Sequence, residues 1–450
     1  MKEFKKIIQV IFFLIVFSVS IKSQNEMQVC TENDRNDIRI EMEELHKKEL
    51  ELWYPLCLDT VYGGYYSDIN YKWELQGMQN KMIVYQARHV WSASNAGLLY
   101  KNKEKFWKIA KHGFKFLRDV MWDNEDGGFY DLVDREGNVI KENGKIIKRA
   151  YGNSFAIYGL AAYFMLSKDS SALQLAQDAF YWLDKNSYDQ QFGGYFQFME
   201  RNGKPFEDGY MGTMPKDHNS TIHLLECFTE LYKVWKNDLL RERLLSLLRI
   251  IRDRITTEKG YMNLFFTKEW KAVSFRDSTD EERTRNYFFD HVSFGHDIET
   301  AYLLLEASEV LGLVDDTTTL KIAKKMVDHT ILYGWDSEND GIFDGGYYFN
   351  LTEKPVIVKN TKEWWAQAEA MNTMLIFSKL FPSDEMNYYQ KFCEQWNYIK
   401  SYLIDYEYGG WYWGGIDIVP NNKFLPKGSI WKVNYHTSRS LSNSILNLSK

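Results

Sequence analysis

Cysteine is scarce: Cys30, Cys57, Cys227 and Cys393 are four scattered residues in a chain of 450. No C-x-x-C pair occurs, which excludes a zinc framework and a disulfide-built scaffold. One bridge is open to an exported chain, but Cys227 and Cys393 fall in helical patterns and are expected to pack as small hydrophobes. Positive charge is not in excess. Lys and Arg number 55 against 62 Asp and Glu, a net of −7, which argues against a general nucleic-acid binder. There is no G-x-G-x-x-G after a strand and no P-loop, so no redox or nucleotide cofactor is signalled. Beyond the first residues no stretch is apolar enough to span a bilayer. With 26% charged and 45% hydrophobic residues, disorder is excluded as the main state. A chain of this length buries an ample core without metal or disulfide.

The first residues read as a targeting segment. Lys2, Lys5 and Lys6 precede an apolar run from Ile7 to Val19, and Ser23 marks a cleavage edge. This is the layout of a signal peptide over residues 1–23, and the run is short for a membrane span. Removing it leaves a mature chain, 24–450, near −10. Met27-Gln28-Val29-Cys30 is a poor lipoprotein box because Val29 is branched, so no lipid anchor is expected at Cys30.

What is abundant is aromatic: 28 Phe, 30 Tyr and 15 Trp. These serve either a bulky core or a site that stacks on flat ligand faces. Their distribution reveals a repeat. Glycine followed by aromatics recurs at Gly63-Gly64-Tyr65-Tyr66, Gly127-Gly128-Phe129-Tyr130, Gly193-Gly194-Tyr195-Phe196, Gly260-Tyr261, Gly341-Ile342-Phe343 and Gly409-Gly410-Trp411-Tyr412. The intervals are 64, 66, 67, 81 and 68 residues, and the long one carries an extra polar loop from Asp277 to Arg285. Between the marks the pattern is helical: Ile222, Leu225, Thr229, Tyr232 and Trp235 share one face, and Ser154–Ser167 and Ile298–Leu311 read as helices. Six units of two helices each predict an all-α (α/α)6 barrel in a single domain, with short β-hairpins and the glycine turns at one end.

Several polar residues sit awkwardly for such a core. Asn219 and His223 lie four apart at a helix start, as an N-cap with a surface histidine or as a shared functional face. In Ser293-Phe294-Gly295-His296-Asp297-Ile298-Glu299, His296 and Glu299 are three apart, so the carboxylate is expected to orient the imidazole and raise its pKa. His436 opens the last helix within Tyr435-His436-Thr437-Ser438-Arg439, a weak signal alone. Trp364 and Trp365 point about 100° apart, with Glu369 one turn beyond Trp365, which fits a sugar platform as well as two core indoles. Arg88 lies among helix residues and, if buried, needs an anion partner. In a toroid the helix starts carrying His223, His296 and His436 converge on one mouth. Three histidines there suggest a metal, but no close pair occurs and Arg88 opposes a cation, so no metal is expected and acid–base work is favoured.

Together with Ser154-Phe155-Ala156-Ile157-Tyr158-Gly159-Leu160 and Trp431-Lys432-Val433-Asn434-Tyr435-His436, these segments resemble the N-acylglucosamine 2-epimerase superfamily, and within it the cellobiose 2-epimerase branch. The likeness runs in order from Arg88 to the C-terminus. It implies an (α/α)6 barrel, a carbohydrate substrate and no cofactor. It also implies that His296 and His436 are general acid/bases, that Glu299 supports them, and that His223 and Asn219 contact the sugar. Arg88 would bind substrate oxygens, and Trp364, Trp365 and Phe155 would wall the site. Two departures bear on the substrate: Thr221 stands where the family usually has histidine, and Tyr302 where the disaccharide enzymes commonly have tryptophan.

The chemistry implied is inversion at C2 of a reducing-end glucose or mannose unit in a β-1,4-linked disaccharide. A base removes the C2 proton of the ring-opened aldehyde, and an acid returns a proton to the opposite face. Rival readings are an aldose–ketose isomerase, an N-acylglucosamine 2-epimerase, a glycoside hydrolase using Glu299 and Glu369, and a non-catalytic sugar-binding protein. Oligomeric state is not legible in the sequence.

Overall fold

A computed structural model describes residues 34–449, apart from 101–102 and 350–351. The targeting segment expected at 1–23, and Cys30, lie outside the described residues. In chain order the helices are α1 (Arg35–Trp53), α2 (Ile83–Leu99), α3 (Lys103–Phe116), α4 (Ala150–Ser167), α5 (Ser170–Asn186), α6 (His218–Val234) and α7 (Asp238–Ile250). They continue with α8 (Asp280–Asp290), α9 (Phe294–Val310), α10 (Thr317–Gly334), α11 (Trp364–Leu380), α12 (Tyr388–Tyr398) and α13 (Tyr435–Leu448).

Six of these, α2, α4, α6, α9, α11 and α13, pack side by side into a closed inner ring, and α13 returns to α2. Each inner helix pairs with an outer one: α2 with α3, α4 with α5, α6 with α7, α9 with α10, and α11 with α12. The sixth pair joins the chain's two ends, α13 inside and α1 outside. The (α/α)6 barrel follows, and no helix among the described residues is long and apolar enough to cross a membrane.

The inner helices lack a polar stripe because they are covered on both sides. In α4, thirteen residues are buried, Asn153 and Ser154 among them. Close packing needs small residues: a Cβ at Gly159 would meet the Ala87 carbonyl of α2 at 2.7 Å. The expected starts of α4 and α9 fall four residues late, because each helix runs straight out of a short strand with no side-chain cap to signal it.

Those strands join neighbouring units. The strand before each of the first four inner helices pairs antiparallel with one just beyond the next glycine turn. β1 (Lys81–Met82) pairs with β2 (Leu132–Val133), β3 (Ile147–Arg149) with β4 (Phe198–Glu200), and β5 (Lys216–Asp217) with β6 (Phe265–Phe266). β7 (Val292–Ser293) pairs with β8 (Gly345–Tyr347), which carries β9 (Val356–Lys359) on its other edge.

Five of the six glycine turns are pinned by a buried lysine–aspartate pair: Lys81–Asp59 at 3.0 Å, Lys148–Asp123 at 2.9 Å, Lys216–Asp189 and Lys362–Asp336 at 2.7 Å, and Lys427–Asp405 at 2.6 Å. The aspartates also accept backbone N–H groups of their own turns, as Asp189 does from Gln191 and Phe192. In four units the lysine stands two residues before the inner helix, so the pair ties each turn to a helix start. The fourth unit has Val292 at that place and Thr257, bonded to the Tyr261 carbonyl, at the turn. This is the unit with the insertion. Its expected loop is instead the helix α8, begun by a Thr279 cap on the Glu282 N–H, with Asp280, Glu281 and Glu282 in the first turn, where the helix dipole favours acids.

Cys57 and Cys227 are free and buried, as small hydrophobes. Cys393 is disulfide-bonded, which corrects its expected role as a free packing residue.

Removing one pin should cost about 3 kcal/mol, because it leaves a carboxylate buried without its cation. Lys216→Met is expected to lower the denaturant midpoint clearly. Thr257→Ala, at the unpinned turn, should shift it far less, and equal shifts would show that the pins are not special.

Candidate active site

The starts of all six inner helices meet at the turn end of the ring and supply Arg88 (α2), Tyr151 (α4), His218 and Asn219 (α6), His296 (α9), Trp365 (α11) and His436 (α13). A cleft of about 280 Å³ opens there, lined among others by Tyr151, His218, Asn219, Ser293, His296 and Trp431. Trp431 is 50% exposed, an indole presented to solvent at the rim.

Asn219 is free to face this cleft because Asp217 takes the capping role, its carboxylate accepting the Ser220 N–H. The reading of Asn219 as an N-cap with a surface His223 is thereby corrected. His223 is buried, its Nδ1 2.8 Å from Glu226 Oε2 and its ring 4.8 Å from Phe155.

His296 does not pair with Glu299. Its Nδ1 lies 2.7 Å from the Ser293 hydroxyl, and its ring is 4.7 Å from Trp365 and 4.8 Å edge-on from His218. Burial pushes its pKa well below the usual 6.5, with His218 and His223 adding to the fall, so the expected rise is also corrected. Gly295 explains the close indole: a Cβ there would lie 2.7 Å from the Trp365 ring.

Glu299 turns instead to Arg439, which also bonds Glu226 and lies 2.7 Å from Glu369. Three carboxylates from α6, α9 and α11 thus share one guanidinium from α13. Tyr435 donates to Glu226 in the same cluster. Burial would raise Glu226, but Arg439, His223 and Tyr435 bring it down to about 2. Burial pushes Glu369 up, against the pull of Arg439, and Glu299 adds to the rise. Glu369 is fully buried and bonds His436 Nδ1 at 2.7 Å, so it holds the histidine and does not reach the cleft. His436 lies 5.8 Å from the Trp365 ring, and its pKa is pushed well below 6.5 by burial first, then by Arg88 and Arg439. Glu299, Glu369 and His436 have ligand atoms close enough for a metal ion, but Arg439 bonds both carboxylates and fills the cation's role.

Arg88 is 5% exposed and donates to the Tyr151 hydroxyl at 3.1 Å, with its guanidinium 4.3 Å from the Phe155 ring. No carboxylate among the described residues lies within ion-pair distance of it. Phe155 is therefore a support beneath Arg88 and His223, and it does not wall the cleft. Of the two tryptophans, only Trp365 belongs to the site. Trp364 is 4% exposed and packs edge-on against Trp413 at 5.0 Å, which corrects its place in the sugar wall. The two departures also lie behind the site: the Thr221 hydroxyl bonds the Asp217 carbonyl at 2.6 Å, and Tyr302 lies 5.5 Å from the Arg439 guanidinium.

Sequence reading missed His218, Tyr151, Glu226 and Arg439. Two carried a signal: Glu226 is three residues past His223, and Arg439 three past His436, each on the histidine's own helix face. His218 and Tyr151 carried none, since only ring closure brings them to His296 and Arg88.

Glu299 and Glu369 share one guanidinium in the interior. They cannot flank a glycosidic bond from two sides, as a hydrolase requires.

Comparison with known proteins agrees with this geometry. A cellobiose 2-epimerase of Ruminococcus albus is 30% identical over 408 residues, spanning 88% of this chain and 95% of that protein. One from Bacteroides fragilis is 27% identical over 402 residues with the same coverage. The solved cellobiose 2-epimerase of Spirochaeta thermophila superposes with a TM-score of 0.79 at 28% identity, over 93% of this chain and 98% of that one. Residues 64–438 match the family of N-acylglucosamine 2-epimerase (GlcNAc 2-epimerase). The chain belongs to the N-acylglucosamine 2-epimerase family and is a carbohydrate epimerase, an isomerase.

Proposed function

We propose that the protein inverts C2 of the reducing-end glucose or mannose unit of a β-1,4-linked disaccharide. The observation that carries this reading is a pair of imidazoles, half-buried His296 and buried His436, on different inner helices and against one indole, Trp365. In each, Nδ1 is engaged, by Ser293 or by Glu369, which leaves Nε2 to exchange a proton.

With the sugar open, the aldehyde acidifies the C2 hydrogen. One Nε2 removes it, and electron density moves onto the carbonyl oxygen. Arg88, a buried guanidinium with no carboxylate in ion-pair distance among the described residues, stabilises that enediolate oxygen. The other histidine delivers its Nε2 proton to the opposite face of C2. When His436 is the donor, the raised Glu369 carboxyl replaces the lost proton at Nδ1, so no free imidazolium is needed. In the opposite direction the steps reverse: His436 takes the C2 proton at Nε2 and returns its Nδ1 proton to Glu369, and His296, carrying the proton it gained at Nε2, gives it to C2. Trp431 at the rim supports a second sugar unit stacking beyond the reacting one. The basic start and apolar run of residues 1–23 support export of the chain.

Incubation with cellobiose and with mannobiose in D2O should place deuterium at C2 of an epimerised reducing end. His296→Ala and His436→Ala should each lower kcat by about 100-fold or more with the circular dichroism unchanged. No exchange with either disaccharide sinks this substrate class. A ketose product selects an aldose–ketose isomerase, and turnover of N-acylglucosamine alone selects that enzyme. Free monosaccharide selects a hydrolase.

Both imidazoles are held neutral by burial, so their base form persists as pH falls through 6.5. The kcat/KM profile is expected to stay level through pH 6.5 and to fall only below it. A midpoint at the ordinary imidazole value contradicts the buried assignment. N-terminal sequencing of the exported chain should begin at residue 24, and an intact Met1 would remove the signal-peptide reading.

A further inference from the structure

Glu49 is a buried carboxyl that the mechanism does not use. Glu49 is on α1, the outer helix that closes the ring, and its side chain is buried against α13. The Thr437 hydroxyl donates to Glu49 Oε1 at 2.6 Å. Thr437 follows His436 in the first turn of α13, and this turn lacks a cap of its own: Asn434, at the N-cap position, makes no side-chain cap bond. The Thr437 hydroxyl also lies 3.0 Å from the Asn434 carbonyl, so it links Glu49 to the residue that opens the helix, where the dipole favours a carboxyl.

Glu49 sits in a narrow chamber of about 10 Å³ walled by Trp53, Trp73, Trp364 and Trp411, with Lys427, Lys432 and Thr437 as its polar neighbours. The chamber is too small for a sugar, so Glu49 cannot touch substrate. Lys427 is committed to Asp405 at 2.6 Å, and Lys432 donates to the Trp411 carbonyl at 2.8 Å. Neither lysine makes an ion pair with Glu49, which leaves Thr437 as its bonded partner on α13. Burial raises the Glu49 carboxyl to about 7, with Thr437 and Lys432 pulling it back.

We propose that Glu49 is a positioning residue for His436: through Thr437 it sets the first turn of α13 and so holds His436 against Glu369. This rests on the reading of His436 as an acid/base. It also gives a role to Trp364, which walls the chamber and not the cleft, and it ties the sixth helix pair, made from the two ends of the chain, to the chemistry.

The test compares Glu49→Ala and Glu49→Gln with the wild-type enzyme by disaccharide kinetics, thermal melting and crystal structure. Glu49→Ala should lower kcat about tenfold, leave KM within about twofold, and carry His436 Nδ1 out of hydrogen-bond reach of Glu369. Glu49→Gln, whose amide can still take the Thr437 hydroxyl, should restore most of kcat. The proposal is overturned if Glu49→Ala keeps the His436–Glu369 contact. It is equally overturned if the variant melts earlier while kcat per folded molecule is unchanged, or if Glu49→Gln is as slow as Glu49→Ala. A wild-type protein inactive on every sugar would overturn the functional reading instead, and the crystal structures would still decide the role of Glu49.

Discussion

Arg439 gathers carboxylates from three other inner helices, Glu226, Glu299 and Glu369, onto one buried guanidinium. Ion pairs taken out of water do not stabilise a fold cheaply. Each charge loses hydration, and only close, multiply bonded geometry offsets the loss. What such a cluster does supply is geometry. Because the bonds are satisfied in one arrangement only, α6, α9, α11 and α13 are fixed relative to one another at the depth where their histidines stand. His223 is held through Glu226 and His436 through Glu369, so two imidazoles inherit their positions from the same guanidinium. His296 alone is held separately, by Ser293 and by the indole that Gly295 admits.

The same economy is seen at the periphery. Lysine–aspartate pairs pin five glycine turns, four of them to an inner-helix start, so the mouth is braced by charges buried just outside it. The fourth unit lacks the pair and carries α8 beside the cleft. The one interruption in the bracing is therefore also where the chain departs from the repeat. The burial that braces the mouth also sets its chemistry. Imidazoles kept from water stay neutral, and Arg88 has no carboxylate within ion-pair distance among the described residues.

Much of this was legible in the order of residues. The spacing of Gly63, Gly127, Gly193, Gly260, Gly341 and Gly409 announced six units, because a tight turn needs glycine at the same phase of each repeat. The helical starts of His296 and His436 were legible for a similar reason: polar groups in an otherwise apolar inner helix need a purpose. The pairings were not. His296 and Glu299 share a face by spacing, yet Glu299 goes to a guanidinium 140 positions later in the chain. Trp364 and Trp365 are indistinguishable as letters, and one packs against His296 and His436 while the other walls the Glu49 chamber. Asn219 looked like a cap until Asp217 was seen to hold that place.

By itself the sequence determined the repeat, the closed helical ring and the residue types available at its mouth. These depend on local periodicity and on glycine's access to positive φ, which neighbouring residues suffice to specify. Only the tertiary structure decided which carboxylate serves which histidine, which tryptophan meets His296 and His436, and that Arg88 has no acid within ion-pair distance among the described residues. Those outcomes depend on contacts between inner helices tens to hundreds of residues apart. They are settled only when α13 packs against α2 and the ring is closed.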